Sequence, residues 1–584
     1  MRRLSILVCL FAILTARGWG QPTADLVLVN GKIVTVDSAF SIRSAMAVKD
    51  GRILAVGTPS EMEAYRGPST RVLDLEGKTV LPGLIDSHTH PSPAAVFEYD
   101  HPVPEMESVA DVLAYIRERA KVVPEGGWIW VSQVFLTRLK EQRYPTRAEL
   151  DEAAPRHAVV FRTGPDASVN SLALQLSGID ENWKVDDGGP GYAEKDPDTG
   201  KLTGILRSCT RYLKSQGDLR GPTREERVSA LKQLLADYNR VGITAVSERD
   251  AGPNEVTIYR ELRSRDGLTC RAFLARHVES NQPDSQIEAE ILAVRRSDLY
   301  RGDDLLRMRT IKMYLDGGML TGSAFMRQPW GVSRLYGITD PGYRGLQFIS
   351  DDRLQRILEL CFRHEVQFTA HSVGDGAVHA FIDACAALGS RFDLRALRPV
   401  IGHSNFMSEE AVRRVAELGI PVDIQPAWLY LDGRTLTHHF GYERMAWFQP
   451  LRALFAAGAV AGGGSDHMQK LGSRRSINFY DPWLAMWVAM TRQARWLDRP
   501  LHPEHALSRV EAIRFYTINN AYLLLAEKDL GSLEPGKLAD FIVLSTDILT
   551  CPLDRVPDIQ VESTWVGGRQ VWDRRTGAGS PGSR

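Results

Sequence analysis

The 584-residue chain carries 71 lysines and arginines against 72 aspartates and glutamates, a formal net charge of -1, so no global field draws it toward nucleic acid or an anionic membrane surface. Its 43% hydrophobic and 24% charged content is that of a soluble globular protein and allows several domains around a large core. Recognition must therefore be local, which fits a small-molecule substrate and excludes nucleic acid; the sequence is compatible with a homo-oligomer.

At the N-terminus, Met1, Arg2 and Arg3 precede an apolar run from Leu4 to Leu14, and Gly18-Trp19-Gly20 stands before Gln21. A charged start, a short apolar stretch and a small-residue cleavage site form the signature of a secretory signal peptide over residues 1–20. The run is well short of the roughly 20 residues a spanning helix needs. The expectation is an exported, periplasmic or secreted protein with no stable membrane insertion after cleavage. Of six cysteines, Cys9 falls in this leader; Cys209, Cys270, Cys361, Cys385 and Cys551 are dispersed, without C-x-x-C spacing. That pattern argues against a disulfide framework or a thiolate metal site, and predicts buried small apolar side chains.

From Ala24 to Val80, short β-type runs (Leu26-Val29, Ile33-Val36, Ala45-Val48, Ile53-Val56, Arg71-Leu75) alternate with turn signals at Asn30-Gly31 and Asp50-Gly51. This predicts a small antiparallel sheet with two hairpins. The far end mirrors it, with Gly531 to Asp540 leading into Phe541-Leu544, Val561-Val566 and Gln570-Trp572. The two ends suggest one discontinuous β-sandwich domain, residues 21–82 and 521–575, followed by a disordered Gly/Ser-rich tail, 576–584.

Between them, residues 83–520 alternate buried-strand runs with helical patterns: Gln367-Ala370 follows Leu354-Arg363, Val400-Gly402 follows Ala377-Leu388, and Val422-Gln425 follows Glu409-Leu418. Repeated βα units at this spacing predict an α/β fold, a distorted (β/α)8 TIM barrel. The stretch from His90 to Lys312 is far longer than the βα units it must hold, which places a large insertion at about 93–240.

The residues with chemistry fall at strand ends. In Leu84-Ile85-Asp86-Ser87-His88-Thr89-His90-Pro91 the histidines at i and i+2 share one face of a strand. H-x-H alone is weak, but the C-terminal end of a barrel strand is the active-site mouth. Lys312 sits in the apolar run Ile311 to Leu315; it reads as an edge-strand surface lysine, or, if it faces a metal-containing lumen, as an amine of lowered pKa able to add carbon dioxide and form a bridging carbamate. His371 and His403 each end a strand candidate in successive units. Asp466 follows Gly462-Gly463-Gly464-Ser465, where small residues allow close backbone approach. It reads as a helix cap in isolation, and as a metal-ligating carboxylate and proton acceptor at the end of the last strand. Together His88, His90, Lys312, His371, His403 and Asp466 supply the nitrogen and oxygen donors expected for a pair of zinc or similar divalent ions.

At these residues the chain resembles the amidohydrolase superfamily, within it the family 3 branch similar to N-substituted formamide deformylases. The matching stretches are V-L-P-G-L-I-D-S-H-T-H, I-K-M-Y-L-D-G-G, A-H-S-V-G-D-G-A-V, I-G-H-S-N, G-G-S-D and G-S-L-E-P-G-K-L-A-D-F-I-V-L, from about residue 25 to 572. The resemblance implies that His88 and His90 bind one zinc, His371 and His403 a second, carboxylated Lys312 bridges them, and Asp466 both ligates and acts as the catalytic base. It implies a metal-activated hydroxide that cleaves a non-peptide amide, formamide or cyclic amide C–N bond. Ester, lactone or amidine-like carbons are an alternative for the same centre, and a metal-containing binding protein without turnover is a third reading. Two departures bear on the substrate: Pro165 stands where the branch commonly has histidine, and Gly322 where it commonly has arginine.

Other features have bland readings beside functional ones. His438, His439 and His467 could line a pocket or be solvated, and Trp428 and Tyr430 could shape a substrate wall or simply pack. Asp375 reads as a helix cap. Trp128, Trp130 and Phe135 could roof the pocket or form a strand's core face.

Overall fold

The computed structural model describes residues 22–132, 134–164, 166–186, 191–215 and 221–577. The expected leader (1–20), Pro165 and residues 578–584 of the expected tail lie outside the described residues. Eight parallel strands dominate: β1 (Leu84–Thr89), β2 (Ile243–Ala251), β3 (Arg271–His277), β4 (Leu306–Tyr314), β5 (Gln367–Ser372), β6 (Val400–His403), β7 (Val422–Ile424) and β8 (Ala461–Gly463), paired in chain order. Their apolar side chains are buried on both faces because helices cover the outside. The helix Asp351–Arg363 shows why: Leu354, Ile357, Leu358, Cys361 and Phe362 form one buried stripe. Burying each such side chain contributes roughly 1.5–3 kcal/mol. The helix Glu409–Leu418 is fixed at both ends, by the Ser408 hydroxyl accepting from Ala411 N–H and by left-handed Gly419.

The sheet closes at its seam by backbone bonds beyond the strand ends. Asp466 N–H donates to His88 O at 2.7 Å, and His90 N–H donates to His467 O at 2.7 Å. Below them the Asn520 amide bridges the two strands, donating to Ile85 O (2.5 Å) and Gly463 O (2.6 Å). The architecture is thus the expected (β/α)8 TIM barrel, joined to further sheets.

Both chain ends build a sandwich. The six-stranded sheet runs Arg569–Asp573, Val561–Val566, Phe541–Leu544, Thr79–Pro82, Lys32–Val34, Ile42–Arg43; the four-stranded one runs Arg52–Gly57, Ala45–Lys49, Leu26–Val29, Arg71–Asp74. Leu28, Ile33, Met46, Val80, Phe541 and Trp565 are buried between them. The pairing corrects the all-antiparallel expectation, since Leu26–Val29 pairs in parallel with Arg71–Asp74 and Lys32–Val34 with Thr79–Pro82. Asp50-Gly51 does make a hairpin, both residues having positive φ (49° and 75°). Asn30-Gly31 does not: Asn30 alone is left-handed (φ 56°), so the turn carries the chain from one sheet into the other.

The insertion leaves the barrel between β1 and β2. It forms a five-stranded sheet, Tyr192–Lys195, Leu202–Arg207, Asp166–Val169, Ala158–Thr163, Trp128–Val131, before the helix Arg224–Arg240 returns to β2. Trp128 and Trp130 pack on that sheet's own core, not over the barrel mouth. Cys209, Cys270, Cys361, Cys385 and Cys551 are free and buried, and among the described residues no helix is long and apolar enough to cross a membrane.

Candidate metal centre

The C-terminal strand ends bring His88, His90 and Asp466 together, with His403, His371 and Lys312 ranged beside them. β1 delivers His88 and His90 on one face, while Thr89 between them turns away to donate from Oγ1 to Ser247 O of β2 (2.8 Å). The last strand comes close because of Gly464: a Cβ there would lie 2.6 Å from His88 Cβ. Asp466 then takes a left-handed backbone (φ 56°), as does His403 at the end of β6 (φ 71°). Such conformations in non-glycine residues cost of order 1–3 kcal/mol each and concentrate at functional sites.

One donor atom from each of His88, His90 and Asp466 falls within a 4.8 Å cluster. Asp466 Oδ1 is 3.2 Å from His90 Nε2 and 3.7 Å from His88 Nε2. His403 connects this cluster to His371, its ring centroid lying 4.5 Å from that of His88 and 4.4 Å from that of His371. Lys312 is buried in central strand β4, 1% exposed, which removes the edge-strand reading; its Nζ lies 5.0 Å from the centroid of the Tyr314 ring, and that ring is 5.3 Å from His371.

Burial, reinforced by the Lys312 cation, holds His88 well below the usual imidazole range and His371 down to about 3. Burial, then the neighbouring His371 and His88, does the same for His403. These rings are neutral at pH 7 and keep a lone pair. His90 differs: burial pulls it down, but the bond to Asp466 and the charges of Asp466 and Glu248 raise it overall. Burial lowers Lys312 to about 8 despite the Asp250 carboxylate.

The surroundings decide which nitrogen of each ring is free. His88 Nδ1–H donates to Asp423 Oδ2 (2.8 Å), and His403 Nδ1–H to Gln425 Oε1 (2.8 Å). His88 Nε2 is left buried with no hydrogen-bond partner. An orphaned imidazole nitrogen among other imidazoles and a carboxylate is a lone pair that a divalent ion would satisfy, so the residues fit the metal that the sequence implies.

Several residues of this surround are silent in the motifs. Asp423 accepts from His88, from Ser87 Oγ (2.7 Å) and from Arg249 Nη2 (3.1 Å). Glu248 lies 4.0 Å from His90 and accepts from Ser92 N–H; burial pushes it up to about 7. Asp250 bonds His277 Nδ1 (2.6 Å) and Tyr314 OH (3.1 Å). The signal that could have found them is the one read in β1, ionisable residues at i and i+2 of a buried strand: Glu248 and Asp250 repeat it in β2.

The bland readings resolve individually. His467 is buried and satisfied, its Nδ1 accepting from Tyr238 OH (2.7 Å) and its Nε2–H facing Gln469 O and Lys470 O, so it is structural. His439 bonds Trp330 O, away from the centre. Trp428 is buried with its ring 5.2 Å from His403, whereas Tyr430 and Phe135 line a separate cavity of about 300 Å³. Asp375 is not the cap, a position Gly374 holds; its carboxylate accepts from Arg327 N–H.

A cavity of about 800 Å³ reaches the centre at Tyr314 and His371 and extends out between the loop after β4 and the inserted sheet, past Tyr336, Arg207 and Phe348. Left-handed Gly322 lines it, packed against Tyr336.

The sequence profile of the amidohydrolase family matches residues 71–572. The chain belongs to the amidohydrolase family. It is 28% identical over 565 residues to the N-substituted formamide deformylase of Arthrobacter pascens, covering 94% of this chain and 98% of that one. It is 25% identical to protein LONG AFTER FAR-RED 3 of Arabidopsis thaliana, over 94% and 92% of the two chains. Among solved structures, an uncharacterized metal-dependent hydrolase from Pyrococcus horikoshii aligns with a TM-score of 0.65 at 21% identity, over 91% of this chain and 99% of that one, a likeness of fold. The family places this chain among the amidohydrolases, and the solved structure shares its TIM-barrel fold.

Proposed function

We propose that the protein hydrolyses a small, non-peptide amide, formamide or cyclic amide C–N bond at a centre where His88, His90, His371, His403, Asp466 and a carboxylated Lys312 would hold two zinc ions. The observation that carries it is the orphaned Nε2 of His88, buried beside His90, His403 and Asp466. Bound there, the metal would supply a Lewis acid for the carbonyl oxygen and would lower the pKa of water to about 7.

The chain's own residues provide the rest. Asp423 and Gln425 fix the tautomers of His88 and His403 so that their Nε2 atoms face the centre. Lys312, with an amine lowered to about 8, has a neutral fraction able to add carbon dioxide near neutral pH. The Asp466 carboxylate takes the proton of the attacking water and returns it to the departing nitrogen, giving acid and amine from amide and water. The cavity of about 800 Å³ falls within the range of small-molecule sites. The charged start and short apolar run within residues 1–20 favour export of the protein.

Purified protein loaded with zinc and bicarbonate is to be assayed against N-substituted formamides, acyl amides, cyclic amides, esters and lactones. Amide turnover that disappears with a chelator is expected. Turnover confined to esters or lactones, or none on any substrate, overturns the reading.

A further inference from the structure

Asn478 lies beyond the end of β8 and is 1% exposed. Its Nδ2 donates twice to one residue, to Asp466 O at 2.8 Å and to Asp466 Oδ2 at 3.2 Å. Asp466 is the left-handed residue whose other oxygen, Oδ1, faces His88 and His90. Asn478 therefore grips both the backbone and the side chain of a strained carboxylate.

The amide's own orientation is set from elsewhere. Asn478 Oδ1 accepts from Arg138 Nη1 (3.0 Å), and a guanidinium only donates, so the oxygen must face Arg138 and the NH2 must face Asp466. Arg138 is in turn held by both oxygens of Asp432, Nε to Oδ1 at 2.9 Å and Nη2 to Oδ2 at 2.6 Å, with Asp432 1% exposed; Nη1 also donates to Ile477 O. Arg138 belongs to the insertion, and the same arm is docked on the helix Pro426–Phe440 by Thr435 Oγ1 donating to Thr137 O (2.6 Å) and by Gln142 Nε2 donating to Thr435 Oγ1 (2.5 Å).

We propose that Asn478 and Arg138 are positioning residues for Asp466: the insertion reaches the catalytic carboxylate through Arg138, which orients the Asn478 amide, which turns Asp466 Oδ1 toward His88 and His90. This rests on the reading of Asp466 as ligand and proton acceptor. The insertion is then a working part of the centre through the turn Leu136–Arg138, and its detachment would disorder the carboxylate while leaving the imidazoles in place.

The test uses the full-length zinc-loaded protein, with Asn478→Ala, Asn478→Asp and the double substitution Arg138→Met/Asp432→Leu, which removes both halves of the buried pair and leaves Asn478 free to flip. Zinc affinity is measured by competition with a chromophoric chelator, alongside kcat, KM and thermal melting. The expected result is a 10- to 100-fold loss in zinc affinity or kcat for all three, with KM within about twofold of the parent. Asn478→Asp, which sets a carboxylate against Asp466, is expected to lose most. Zinc affinity and kcat both within twofold of the parent in folded Asn478→Ala overturn the proposal. If that variant does not fold, the same result in the double variant overturns it. An equal fall in all parameters together with melting temperature marks a purely structural role and also overturns it. Should the parent bind zinc but cleave no amide, the reading of function fails and the chelator competition still decides the positioning role.

Discussion

Asp423→Asn tests the logic of the centre most directly, because it changes one proton and one charge while keeping the shape. Asp423 is fully buried and accepts from Ser87 Oγ, His88 Nδ1, Arg249 Nη2 and, at 3.2 Å, Gln425 Nε2. An asparagine loses one acceptor edge. If its NH2 faces His88, it forces the proton of that ring onto Nε2, the atom that has no partner in the protein. If its oxygen faces His88, its NH2 is turned toward the Ser87 hydroxyl, and in either pose Arg249 is left as a buried guanidinium without a carboxylate. Breaking a buried pair costs roughly 3–5 kcal/mol, and loss of a ligand's orienting partner costs about 10- to 100-fold in metal affinity, about 1.4 to 2.8 kcal/mol. Chelator competition for zinc and thermal melting of the zinc-free protein measure the two losses separately. Zinc affinity within twofold of the parent, in a protein that melts normally, would show that Asp423 does not set the His88 tautomer.

Lys312→Met should remove a pH dependence. Folding depresses the lysine from its ordinary 10.5 to about 8, so between those values the unfolded chain holds more protons and the stability of the zinc-free protein rises with pH. Denaturant melts should show the parent gaining on the variant by roughly 3 kcal/mol across that window; parallel curves contradict the burial argument. Gly322→Arg puts a side chain at φ 68° with its Cβ 2.7 Å from Tyr336 Cβ, and should raise KM at least tenfold by displacing the cavity wall, read from steady-state kinetics; an unchanged KM would place the substrate elsewhere. Asp540→Ala strips the buried Arg271 guanidinium of both its carboxylate bonds (2.7 and 2.6 Å), where the sandwich meets β3. It should destabilise the protein by about 3–5 kcal/mol in chemical denaturation while the folded fraction keeps its zinc; loss of zinc without loss of stability would count against it.

The α/β architecture is legible because buried strands and amphipathic helices alternate through the middle of the chain, the barrel because histidines, a lysine and an aspartate recur at its strand ends, and the split sandwich because β runs stand at both ends of the chain. Histidines and a lysine inside apolar runs, at or near strand ends, are enough to pick out His88, His90, Lys312, His371 and His403; the structure clusters His88 and His90 with Asp466 and sets His403 and then His371 beside them. What the pattern hides is partnership across the barrel. Asp423 in Val-Asp-Ile looks like an intruder in a strand until β1 supplies His88 and β2 supplies Arg249. Arg138 is an ordinary surface-type arginine in sequence and is drawn inward through Asp432 and Asn478, about 290 and 340 residues away. The Asn30-Gly31 turn misleads because the dipeptide reports a tight turn without reporting which sheet the next strand joins.

Closure of the barrel and assembly of the centre are one event. β7 and β8 have three residues each, too few to complete a ladder with β1, so the chain after Gly463 is free to turn left-handed and spend its N–H groups on neighbouring strand ends: Gly464 on Ile424, Asp466 on His88. His90 N–H answers by bonding His467 O. The bonds that shut the seam are thus made by the residues that carry the candidate ligands, and Asn520 holds the strands in register just below them. A barrel left open at β8 would separate Asp466 from His88 and His90 by the same movement that exposes the seam. The left-handed strain at Asp466 is tolerable because Asn478, His88 and the closed sheet all hold it.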